Sequence, residues 1–217
     1  MAGTSPAMTT ESGRSERITR PRERYLTAIA RAVDAFRQRR RVFTALVATE
    51  ALDTRACQHI SEKLGGAPVF SSEQYDMYQI VSILRAGHMM ASSRFHGIVT
   101  SMPALVPSAG ITMDERIRNL MKDRGHEDLL MNVDDADLEA KLLATLEKLA
   151  TEGERIADGI GRTVVRNLRL MARMGVYFEE ELRRRYPDFP TRKGQWSWED
   201  FLLPIDEGLR RLIGMYS

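Results

Sequence analysis

The chain has 217 residues, 43% of them apolar, a formal net charge of +2 and a single cysteine, Cys57. That length allows one large or two small domains, and that apolar share allows a buried core. The near-neutral balance gives no global electrostatic case for nucleic acid or membrane binding, one cysteine excludes an internal disulfide, and no apolar run approaches the roughly 18–20 residues that span a bilayer.

The opening "MAGTSPAMTTESGRSER" is polar and lacks the apolar middle of a secretion signal. Residues 1–21 are therefore expected to form a disordered leader, and a reducing, cytoplasmic setting fits the cysteine usage. Between Arg14 and Arg41 stand ten basic and three acidic residues. This reads as a solvated helix face, with a phosphate-binding patch as the alternative.

From Arg22 to Arg40, Leu26, Ile29, Val33 and Phe36 recur at three- and four-residue steps, which predicts a helix. "VFTALVAT", residues 42–49, is β-branched and short, hence a strand. Asp53 is placed to cap a helix over "TRACQHISEKL" that Gly65 and Gly66 stop. "APVF" is a second strand. Ser71 or Ser72 is the expected cap of the next helix, with Tyr75, Tyr78, Val81 and Leu84 as its stripe.

The alternation continues with strand "HMMA" at 88–91, a helix from "RFHGIVTSM" broken by Pro103, and strand "ALVPS". Thr112 to Glu115 has capping-box spacing before "RIRNLMKDR". Then come strand "LLMNV" and a helix to Ala150. Five strands separated by single helices predict an α/β domain over 22–150, a doubly wound parallel sheet. Ile156, Ile160, Val164, Leu168 and Met171 predict a long helix to about Arg185. Residues 151–217 are read as a C-terminal helical extension packing on the sheet domain, with Pro204 breaking its last segment.

In open parallel sheets, ligands bind outside the carboxyl ends of the strands. "SSRFHG", residues 92–97, falls at such a turn. Ser92 and Ser93 offer hydroxyls, Arg94 a planar fork for carboxylate or phosphate, and His96 a proton carrier. Gly97 permits close approach of a ligand or backbone. Ser108, Gly110, Thr112, Asp114 and Arg116 belong to the following turn and are expected to face the same crevice. Capping and ordinary surface charge are the competing readings there. No CxxC or HExxH spacing occurs, so no metal is expected, and the reading calls for no cofactor.

With these residues in view, "ASSRFHGIVTSMPALVPSAGITMDERIRNLMKDRG" resembles the C-terminal part of the polysaccharide pyruvyl transferase family. Ser92, Arg94, His96 and Gly97 match a Ser-x-Arg-aliphatic-His-Gly motif, with Phe95 where Leu is usual. Asp114 matches the Asp of a Tyr-Asp-x-Lys-like stretch. Met113 and Arg116 replace the Tyr and Lys, and Met102-Pro103 replaces a Val-Pro. The likeness covers roughly residues 24–185.

The resemblance implies a Rossmann-like half of a two-domain, glycosyltransferase-like architecture. It implies transfer of a pyruvyl ketal group from phosphoenolpyruvate to a glycan or lipid-linked sugar acceptor, as in exopolysaccharide biosynthesis. Arg94 and His96 would be the catalytic pair, with Ser92, Ser93, Gly97, Ser108, Gly110, Asp114 and Arg116 binding substrate. A full member carries a second Rossmann-like half upstream. The expectation is therefore a truncated chain, a partner subunit that supplies the missing half, or lost activity. The alternatives are a non-catalytic module of the same ancestry that binds an anionic sugar or a partner, and half of a nucleotide-sugar glycosyltransferase.

Overall fold

The computed structural model describes residues 12–112, 114–190 and 197–216, with side chains described from Glu23 onward. It is an α/β protein with two small parallel sheets. Helix α1 (Ser12–Arg39) begins earlier than the expected Arg22, and residues 1–11 of the expected leader lie outside the described residues. Strands β1 (Leu46–Ala48) and β2 (Val69–Ser71) pair in parallel, with Leu46 opposite Val69. Strands β3 (Met90–Ser92), β4 (Ser108–Thr112) and β5 (Leu130–Asn132) form the second sheet in that order, also parallel.

Between the strands run α2 (Thr54–Lys63), α3 (Met77–Arg85), α4 (Phe95–Ser101) and α5 (Glu115–Asp123). Helices α6 (Leu138–Thr151), α7 (Gly153–Arg185) and α8 (Glu207–Tyr216) complete the chain, with Pro204 in the break before α8.

Among the described residues no ladder joins the two sheets. Helix α1 couples them instead. Its Leu26 and Ala30 pack with Ile60, Leu64 and Ala67 beside β1. Its Ala32 and Phe36 pack into the larger core around β4, with Ile98, Ile117, Met131 and Leu142. Tyr25, Ile29 and Val33 touch both groups. The three- and four-residue spacing of these apolar positions gives α1 two buried faces with arginines between them.

Several elements depart from the sequence reading for identifiable reasons. The first strand keeps only 46–48 of the expected 42–49, and Phe43 stands 83% exposed with no strand beside it. The fourth strand is 108–112, not "ALVPS". Met102–Ala104 forms a 3-10 turn, Leu105 closes it at φ 59°, and Pro107 offers only its carbonyl, which accepts from Met90 N at 2.9 Å. Helix α3 is capped by Asp76 in a capping box with Gln79 rather than by Ser71 or Ser72. It consequently buries Ile80 and Leu84, leaves Tyr78 exposed, and does not include Tyr75.

At the amino end of β4 lies a buried cation with no carboxylate paired to it among the described residues. Arg124 donates from Nη1 to Ser108 Oγ at 2.9 Å and from Nη2 to the Ser108 carbonyl at 3.2 Å. Burial pulls its pKa down to about 10. Two residues on, His126 is buried, its Nδ1 has no partner among the described residues, and its ring lies 3.0 Å from where a Cβ on Gly159 would be. Burial first, then the charge of Arg124, pushes its imidazole down to about 4, while Asp128 opposes and Arg155 and Lys148 assist.

The folded chain thus takes up this proton at lower pH than the unfolded chain, whose ordinary value is 6.5. The resulting stability is fully present above pH 6.5 and is lost as pH falls towards 4. Urea unfolding followed across that interval should show this slope. A His126→Asn chain should show a shallower one, and equal slopes would contradict the assignment.

Candidate functional site

The carboxyl ends of the strands share one local device. The last residue of each of β2, β3 and β4 is a hydroxyl side chain that holds the backbone N–H two positions on. Glu73 N donates to Ser71 Oγ at 3.2 Å, Arg94 N to Ser92 Oγ at 3.0 Å, and Asp114 N to Thr112 Oγ1 at 2.6 Å. Ser92 and Thr112 donate back to the carbonyls of Arg94 and Asp114. Such hydroxyl turns fix where each chain leaves the sheet and enters its helix. Ser92 is therefore occupied in the turn rather than free for a ligand.

Arg94 occupies the N-cap position of α4, with extended backbone. Its guanidinium crosses to the end of β1. Nε donates to Asp53 Oδ2 at 2.8 Å and Nη2 to Asp53 Oδ1 at 2.6 Å, a bidentate pair, and Nη1 lies 3.2 Å from Glu50 Oε2. The Asp53 hydrogen bond raises the Arg94 pKa further above its ordinary value. Asp53 stands at the N-cap position of α2 but makes no side-chain cap bond, because its carboxylate is committed to Arg94. The expected direct capture of an anion by Arg94 is thereby corrected: both edges of its fork are already filled by carboxylates.

His96 is exposed in the first turn of α4, edge-on to the Phe95 ring with centroids 5.6 Å apart. Phe95 also carries Arg116, whose guanidinium carbon lies 5.9 Å from the ring centroid. Asp114 caps α5 by accepting from Arg116 N at 2.6 Å, and its carboxylate also receives the Arg116 guanidinium. This replaces the capping box expected between Thr112 and Glu115. The same Arg116 contacts hold the Asp114 carboxyl below its usual range. Arg116 remains 66% exposed at its side chain, and Glu50 and Arg94 are near enough to act on its charge. Ser93 is exposed and pairs with the Tyr25 hydroxyl, whose pKa burial raises.

The structure therefore brings Ser93, Arg94, His96, Asp114 and Arg116 to one rim, where His96 and Arg116 border Phe95. It separates Ser108 and Gly110 from them, and both expectations are corrected. Ser108 is the first residue of β4, at the opposite end of the strand, bound to Arg124. Gly110 is mid-strand, where a Cβ would meet Ile117 Cγ2 at 2.6 Å, so its role is to admit α5. Gly97 likewise serves packing, since a Cβ there would meet Ser92 Oγ at 2.9 Å.

No protein-family model matches the chain, and comparison with curated proteins and with solved structures likewise yields no match. The site accordingly rests on its own chemistry. Among the described residues no group of His, Cys, Asp and Glu could hold a metal ion. Cys57, near Asp53, has its thiol pushed up to about 11 by burial and by that carboxylate, which favours the neutral thiol over the thiolate. A groove of about 480 Å3 opens at the α6–α7 junction, lined by Ala150, Thr151, Glu152, Gly153, Glu154 and Arg155. It lies towards Pro107 and the opposite end of β4 from the rim.

Glu50, Asp53 and Tyr25 were missed by sequence reasoning. The signal was available for the first two. An acidic pair just after one parallel strand, and an arginine just after another, lie at the same edge once the strands run parallel. Tyr25 carried no such signal, because only the packing of α1 brings it to the rim.

Two substitutions test this geometry. Asp53→Asn keeps the volume but removes the charge facing Arg94, and should cost about 1–2 kcal/mol given the partial exposure of the pair. A thermal melt unchanged from the parent would contradict the clamp. Gly110→Ala should cost about 1–3 kcal/mol through overpacking against Ile117, read by urea unfolding. A neutral result would show that α5 is not seated on β4 as described.

Proposed function

We propose that this chain is a Rossmann-like, doubly wound half of a pyruvyl-transferase-like enzyme, acting on phosphoenolpyruvate and a sugar acceptor. The observation that carries the reading is that His96 and Arg116 both border Phe95, with Asp114 on Arg116, at the carboxyl ends of β3 and β4. An exposed imidazole and an exposed guanidinium that border the same ring suit an anion that must be protonated at carbon. Arg94 acts through others: locked to Asp53 and Glu50, it positions the β3–α4 turn that carries His96.

In this reading the Nη1 edge of Arg116, whose Nε and Nη2 stay on Asp114, and the Ser93 hydroxyl receive the carboxylate or phosphate. The His96 imidazolium delivers a proton to the methylene carbon, which leaves the adjacent carbon electrophilic. A sugar hydroxyl adds there and returns its proton to His96. Phosphate departs as the second acceptor hydroxyl closes the ketal, taking that hydroxyl's proton with it. Because His96 and Arg116 are exposed at an open rim, enclosure of the acceptor calls for a second surface facing them, supplied by a partner subunit or another domain.

One observation favours a second reading. The carboxylates of Glu50 and Asp53 already balance Arg94, which suits a non-catalytic module that binds an anionic sugar through Arg116 alone. Native-state ligands raise apparent stability, so phosphoenolpyruvate should raise the melting temperature and a nucleoside diphosphate should not. His96→Ala should abolish transfer to a glycan acceptor while leaving the melting temperature within error of the parent, since the ring is exposed. Full turnover in that variant would sink the proton-carrier role, and stabilisation by the nucleoside diphosphate alone would favour half of a nucleotide-sugar glycosyltransferase.

A further inference from the structure

The second half of α7 is anchored on one side only. Ala172 is buried, Gly175 lies against Phe201 so closely that a Cβ would meet its ring at 2.7 Å, and Val165 packs with Leu212 and Ile213 of α8. Around the helix from these contacts, Leu170, Met171, Met174, Tyr177 and Phe178 make an exposed stripe, from 49% at Met171 to 70% at Met174. Leu170, Met174 and Tyr177 follow steps of four and three along its centre, and Met171 and Phe178 flank them seven residues apart. Glu181, held by Arg184 and Arg185, closes the stripe at its carboxyl end.

We propose that this stripe is a self-association surface on which a second copy of the chain docks antiparallel, α7 against α7. The first ground is area. Five side chains of this size, half to two-thirds uncovered, expose roughly 600 Å2, the upper end of what a monomer leaves bare. Two copies would bury about 1,200 Å2, the lower bound for a specific interface.

The second ground is charge complementarity. Arg173 and Glu180 lie seven residues apart on the edge of the stripe away from Met171 and Phe178, both exposed, and neither has a hydrogen-bond or ion-pair partner among the described residues. Setting Met174 opposite the partner's Tyr177 brings Arg173 beside the partner's Glu180, and two-fold symmetry makes that pair twice. The same register sets Met171 beside the partner's Phe178, so the other edge is apolar on both sides. A parallel pairing places Arg173 beside the partner's Phe178 and leaves both charges unmatched. The surface is thus self-complementary in one orientation.

Sedimentation of the full chain at micromolar to tens of micromolar concentration tests this. The parent should be a dimer. Met174→Glu should be monomeric with an unchanged circular dichroism spectrum, since the side chain is largely exposed. Arg173→Glu and Glu180→Arg should each raise the dissociation constant about tenfold, and the two together should restore it to within about threefold of the parent. A monomeric parent would overturn the proposal and assign the stripe to a different partner protein. A dimer insensitive to Met174→Glu, or a double charge swap that fails to recover, would overturn it equally.

Discussion

The bidentate pair between Arg94 and Asp53, with Glu50 behind it, spans the gap between two sheets that share no ladder among the described residues. Parallel strands this short cannot hold a domain together by backbone bonds alone. The apolar faces of α1 supply the burial that joins the halves, and the Arg94 clamp fixes the register of their carboxyl ends. Were the fork released, the turn after β3 would lose its tie to β1, and with it the orientation of the first turn of α4. The placement of His96 therefore depends on an interaction in which His96 takes no part.

Much of the alternation of strand and helix was legible because apolar runs and Gly or Pro punctuation mark it directly. Boundaries were less so. Pro107 ends no strand but precedes one, because its missing N–H matters only where a ladder bond is needed, and its carbonyl serves Met90. Asp76 and Gln79 form a cap that "SSEQYD" conceals behind two earlier serines of equal capping propensity. Asp53 was legible as a cap by residue type. Its actual partner lies 41 positions away, and no local pattern reports a contact of that separation.

The candidate site was partly legible for a similar reason. His96, Asp114 and Arg116 follow from their positions after strands, since a parallel sheet sends those turns to one edge. Ser92 and Thr112 stand at strand ends, and their hydroxyls are consumed by the turns that they build. Ser108 and Gly110 lie off the rim because a four-residue shift in strand placement puts Ser108 at the amino end of β4 and Gly110 at its middle. Burial of Arg124 against Ser108 could not be read from composition, for nothing in the sequence marks an arginine that folds without a carboxylate.

The claim that an anion is handled at the rim beside Phe95 is tested most directly by following the imidazole resonances of the four histidines while phosphoenolpyruvate is added. The account predicts that the His96 ring signals move and saturate, together with the Arg116 side-chain Nε–H, while those of buried His126 stay in place. Saturable movement confined to His59, His88 or His126, or none at all at concentrations that fill a millimolar site, would contradict it.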